Sequence, residues 1–206
     1  MGRMLQIVGL ALGIAALLLQ FAITVPSAME AGRSLPGAIV FYFSFFTILT
    51  NLAAVVVHAA GVFDASLSVF ARPRIRAGVV VSMVVVFMVY ATVLARLWQP
   101  EGLFLVCDIL LHYVTPAIML LWWLVAGRDG TTRFADIPSW LAYPILYAAY
   151  VFARAPIAGE VPYPFLNLAT NGIGGVALSV LLMTGLFAVV SATVVLADRL
   201  LSAKRA

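Results

Sequence analysis

Six apolar stretches recur along the chain, each long enough to cross a bilayer: 4–25, 38–61, 77–98, 103–127, 137–155 and 172–200. Spanning ~30 Å of hydrocarbon takes ~20 apolar residues in a helix. With no water at that depth, a helix is the segment that satisfies all its own backbone groups. The pattern leaves one fold class, an all-α polytopic membrane protein, with a single bundle of six transmembrane helices as one domain over 1–206. Charge agrees, since only 10% of residues are charged against about 25% in soluble domains. Pro144 makes 137–155 the weakest span, yet proline is tolerated in membrane helices whose neighbours satisfy the freed carbonyl. The apolar run after Met1–Gly2–Arg3 is longer than the core of a signal peptide, so it reads as a retained first helix.

Basic residues set the expected orientation. One set of connections carries Arg3, Arg72, Arg74, Arg76, Arg128, Arg133, Arg199, Lys204 and Arg205, nine in all; the other carries only Arg33, Arg96 and Arg154. Positive residues favour the cytoplasmic side, so both termini are expected there. No basic run is interleaved with aromatics, which removes support for nucleic-acid binding. Cys107 stands alone, which excludes an intrachain disulfide and a cysteine metal cluster. It reads as a small buried apolar residue.

His112 lies in the middle of the fourth stretch. An ionisable side chain at that depth is costly and usually faces a protein interior with a function. Asp108 sits four residues earlier, on the same helical face and within reach of the imidazole. The second stretch places Ser44, Thr47 and Asn51 on one stripe, with Thr50 at its edge. Thr47 and His112 are each nine residues from the outer end of their stretches. At 1.5 Å per residue both lie ~14 Å deep, near the mid-plane. A hydroxyl, an imidazole and a carboxylate at one level make a nucleophile, base and orienter set. A structural Thr–His hydrogen bond would leave the same trace in sequence, and Ser and Thr are common in helix packing.

His58 lies twenty residues along the second stretch, at its inner end. That is ~16 Å of helix rise beyond the His112 level, too far for the two to share a metal or haem, and His58 is expected at the interface. Arg154 follows Trp140, Tyr143, Tyr147 and Tyr150. It suits either a carboxylate or phosphate head group, which arginine grips bidentately, or plain aromatic-belt anchoring.

Four segments carry a family resemblance. They are Phe45–Phe46–Thr47–Ile48–Leu49–Thr50–Asn51–Leu52, Leu110–Leu111–His112–Tyr113–Val114–Thr115–Pro116, the run from Trp140 to Arg154, and Pro162–Tyr163–Pro164–Phe165. In order and spacing the chain resembles the bacterial six-helix relatives of the androgen-induced-gene-one family, which also contains the androgen-dependent tissue-factor-pathway-inhibitor regulating protein. Animal members are membrane hydrolases that cleave fatty acid esters of hydroxy fatty acids with a threonine and a histidine on separate helices. By motif, that resemblance implies Thr47 as nucleophile, with Thr50 as the alternative, and His112 as base. The proline-rich loop and Asn51 depart from the animal pattern, so the chemistry and the substrate need not carry over together.

The expectation is an intramembrane lipid esterase of the bacterial inner membrane, multi-pass, whose partners are its lipid ester and the bilayer. His112 takes the Thr47 proton, Asp108 fixes the imidazole, and an acyl-threonine forms and is hydrolysed. Ser44 or Asn51 serves as oxyanion donor, while Tyr147 and Arg154 line the substrate site, Arg154 on a free carboxylate. This chemistry calls for no metal and no organic cofactor. The rival reading is a non-catalytic lipid-binding or transport protein, with the same polar stripe lining a head-group pocket.

Overall fold

The computed structural model describes residues 1–63 and 69–203; Lys204 and Arg205 lie outside them. Every regular element among the described residues is helical. The helices are α1 (Gly2–Glu30), α2 (Leu35–Tyr42), α3 (Phe46–Phe63), α4 (Pro73–Thr92), α5 (Gly102–Ile109), α6 (Thr115–Trp122), α7 (Ile137–Ala158) and α8 (Leu168–Ala203). Six helical segments are long and apolar enough to cross a membrane, as expected. The proline-bearing α7 is one of them, continuous through Pro144 and Pro156.

α4 is the central post. It packs against α3, α6 and α8 and buries Val80, Val81, Met83 and Val85. β-branched side chains suit this place because their single preferred rotamer in a helix is already fixed before packing. Trp122, Trp123, Trp140 and Met119 complete that core. Its aromatic and valine side chains concentrate in the half of the bundle where Arg74 pairs with Asp136 and Arg76 with Asp129. The opposite half carries Arg33 and Arg154, both bonded to Glu160. The two arginine populations of the sequence thus sit at opposite ends, in the described chain as in the expectation.

The arginine-rich end is tied by one buried carboxylate. Asp198 of α8, with no exposed surface, accepts from the backbone N–H groups of Asp129, Gly130 and Thr132 at 3.0–3.1 Å and from the Thr132 hydroxyl at 2.7 Å. Gly130 permits the convergence by taking φ 80°, a conformation that strains residues with a side chain. Removing the acceptor leaves donors unpaired at about 1–3 kcal/mol each where water cannot reach them. Asp198→Ala is therefore expected to lower stability by about 2–3 kcal/mol, measured as a drop in the melting temperature of the purified protein in detergent.

Two expectations need correction. The second stretch is not one helix: α2 ends at Tyr42, 43–45 are irregular, and α3 starts at Phe46. Ser44 lies in that break rather than on the Thr47 stripe, and Thr47 stands in the first turn of α3. Interrupted backbone at membrane depth is tolerated where protein covers it, and here Ser44 is fully buried with its hydroxyl bonded to the Phe41 carbonyl at 2.6 Å. His58 is not interfacial either, with 2% of its surface exposed. Its ring lies edge-on to Trp122 and against Gly9, where a Cβ would collide with the imidazole. The missing side chain at Gly9 gives the ring its berth. Cys107 is buried, as expected.

Candidate active site

The helix carrying His112 widens at that residue. Leu110–Val114 forms a π turn between α5 and α6, a feature often found where a helix is bent to a function. Pro116 supplies a reason, because it has no N–H to return to the fourth carbonyl before it. Polar side chains reach two carbonyls of this turn. The Thr115 hydroxyl donates to Leu110 O at 3.0 Å, and the Asn51 amide donates to Leu111 O at 3.1 Å. Asn51 and Thr115 are also bonded to each other, at 2.5 Å, and Asn51 donates to Thr47 O at 2.9 Å. The amide therefore braces α3 onto the π turn, with its donors and its acceptor all engaged.

That brace brings Thr47 and His112 together. Thr47 Oγ1 stands 3.3 Å from His112 Nε2, just beyond the usual 2.6–3.2 Å reach of a general base and within the looser geometry common before substrate binds. On the far side of the ring, Nδ1 meets Asp108 Oδ1 at 3.2 Å and Asp108 O at 3.0 Å. Two oxygen acceptors at Nδ1 place the proton there, by inference from the partners, and leave the Nε2 lone pair facing the hydroxyl. Tyr90 stacks on the imidazole at 3.7 Å and 16°, which holds the ring plane. Thr47 and Asp108 are buried, 8% and 9% exposed, so the set sits in a medium where charge interactions are stronger than in water.

Two hollows meet at this set. The larger, of about 560 Å³, runs from Arg33 and Trp98 past Gln20 and Thr24 to Asp108 and His112. The smaller, of about 160 Å³, is walled by Phe46, Val85, Tyr147 and Phe187. Thr47, His112, Tyr163 and Leu94 belong to both linings. Apolar walls with a few convergent polar groups are the usual form of a small-molecule site, and the larger volume falls in the range such sites occupy.

The other expected residues are placed as follows. Thr50 is fully buried, bonded to the Tyr143 hydroxyl at 3.0 Å and outside both linings. Ser44 and Asn51 also lie outside both linings, held by the bonds described above. Tyr147 lines the smaller hollow and donates to Ser44 O at 2.9 Å, which ties α7 to the break before α3. Arg154 is mostly buried and bonded to Glu160 at 2.9 Å, away from both linings, whereas Arg33 reaches the larger one. Sequence reasoning gave no role to Tyr90, Thr115 or Tyr163. Only Tyr163 had a local signal, its place between Pro162 and Pro164.

Set against models of protein families, curated proteins and solved structures, the chain matches none of them.

Proposed function

We propose that this protein is an intramembrane hydrolase of lipid esters, with Thr47 as nucleophile, His112 as general base and Asp108 as the group that orients it. The observation that carries the reading is the 3.3 Å approach of Thr47 Oγ1 to His112 Nε2, on the shared wall of two hollows. A purely structural Thr–His bond has no need of Asp108 behind the ring or of empty space in front of it.

Thr47 Oγ1 attacks the ester carbonyl as its proton passes to His112 Nε2, and a tetrahedral oxyanion forms. Collapse breaks the bond to the alcohol oxygen, which leaves with the Nε2 proton, and an acyl-threonine remains. Water then attacks, giving a proton to Nε2; the acid is released and Thr47 Oγ1 takes the proton back. Ester and water become acid and alcohol, with no other reactant. Asp108 stabilises the imidazolium in both halves. The family resemblance adds fatty acid esters of hydroxy fatty acids as the substrate class, and the arginine facing the larger hollow, Arg33, is better placed than Arg154 to meet a free carboxylate. The bilayer carries the substrate to the site, and the membrane is taken to be the bacterial inner membrane.

A fluorophosphonate probe tests this reading. Incubated with the purified protein in lipid nanodiscs, it is expected to phosphonylate Thr47, identified by peptide mass spectrometry, while the protein cleaves lipid ester. Saturable lipid binding with no labelling and no turnover would instead make the protein a lipid carrier, the one rival that the same hollows fit.

A further inference from the structure

Among the polar side chains that the two hollows share, Tyr163 is left without a task by the mechanism. It sits in the connection 159–167 between α7 and α8, which begins at Gly159 with φ 69°. Pro164 directly after it disfavours helical backbone, and Tyr163 is extended, at φ −128° and ψ 132°. Its ring is clamped by Phe165, stacked at 5.4 Å, and by the edge of Phe45 at 6.1 Å. This rigid seating aims the hydroxyl inward, onto the first turn of α3. There the phenol oxygen accepts the Thr47 backbone N–H at 3.4 Å and also interacts with the Thr47 side chain.

Three physical facts bear on what that hydroxyl does. Accepting an N–H polarises the phenol and makes its own O–H a stronger donor. The N-terminal end of α3, with its positive dipole, faces the same point. Burial pushes the Tyr163 phenol above its ordinary value, with the bonds to Thr47 pulling partly back, so the group keeps its proton. Neither Ser44 nor Asn51 competes, since each is committed elsewhere and neither lines a hollow.

We propose that the Tyr163 hydroxyl is the oxyanion donor of this site, giving a hydrogen bond to the ester oxygen as Thr47 attacks. The inference rests on the ester-hydrolase reading above. In the resting protein the phenol oxygen also interacts with the Thr47 and Tyr147 hydroxyls. When the carbonyl carbon becomes tetrahedral next to Thr47 Oγ1, its oxygen acquires negative charge and becomes the better acceptor. Such a donor acts on the transition state and little on the bound substrate.

Tyr163→Phe keeps the ring and its clamp and removes only the hydroxyl. Ester cleavage is expected to fall about 10²-fold in kcat, with KM within about two-fold of the parent, because ground-state binding is untouched. Phosphonylation of Thr47, whose transition state also develops charge on oxygen, should slow in parallel. Binding of the free fatty acid should hold, while the melting temperature falls modestly because the Thr47 N–H loses its acceptor. Replacing Tyr163 by 3-fluorotyrosine gives a second test with the fold intact: kcat should change with the phenol's acidity. A Tyr163→Phe protein with kcat near the parent value overturns the assignment, and so does one whose KM and product binding deteriorate along with kcat. A fluorotyrosine protein with unchanged kcat overturns it too. If the parent protein itself turns over no ester and behaves like Thr47→Ala, the underlying reading fails and this inference with it.

Discussion

Thr47→Ala should reduce ester hydrolysis to the background rate, a loss of at least about 10⁴-fold in kcat of the kind that follows removal of a covalent nucleophile. No neighbouring oxygen can take over. Thr50 is one turn on but bonded to Tyr143 and outside both hollows, and Ser44 lies in the break with its hydroxyl on Phe41 O. Thr50→Ala, measured beside it, should keep most of the activity. The same pair of proteins separates catalysis from binding, because Thr47→Ala preserves both hollows and should retain its affinity for a non-hydrolysable ether analogue of the substrate. Full turnover in Thr47→Ala, measured on purified, folded protein, would sink the assignment.

His112→Ala should cost about 10³ to 10⁴-fold in kcat, the size of a positioned general base. The substitution also strips the Tyr90 ring of its stacking partner and leaves Asp108 without the imidazole. The space it opens lies against the larger hollow, so imidazole added to the buffer has somewhere to bind. Partial recovery of turnover with added imidazole is the expected signature of a lost base. A protein that loses activity with no recovery, and that has lost its melting transition as well, would show a structural collapse instead. If Thr47 and His112 act on one proton, as proposed, the double variant should be scarcely worse than either single one.

The six-helix plan was legible because length and apolarity alone dictate it: backbone groups in hydrocarbon tolerate few other arrangements. The segregation of arginines was legible for a similar reason, being a matter of sidedness rather than of packing. The pairing of Thr47 with His112 came from equal depth, yet the depth rested on a continuous second helix that does not exist. The break at 43–45 has no proline or glycine to announce it; it is held by tertiary bonds, among them Tyr147 to Ser44 O. Thr47 nonetheless reaches His112, because Asn51 fixes α3 against the π turn whatever happens before Phe46. The π turn itself had a sign, Pro116, whose missing donor was readable. The bond between Asn51 and Thr115 was not, since it joins residues 64 positions apart. Tyr163 was in view as part of a proline-flanked motif, but nothing in a loop's sequence says which way its side chain points.

The Asn51 stitch has a mechanical consequence. Transmembrane helices tilt when the lipid around them becomes thinner or thicker, and a gap defined only by where two tilting helices cross would widen or narrow with the membrane. Here one amide grips the carbonyl of Thr47 on its own helix and that of Leu111, directly before His112, on the other. Tilt that parted the two helices would have to break this stitch, so Thr47 and His112 are expected to keep their spacing in membranes of differing thickness.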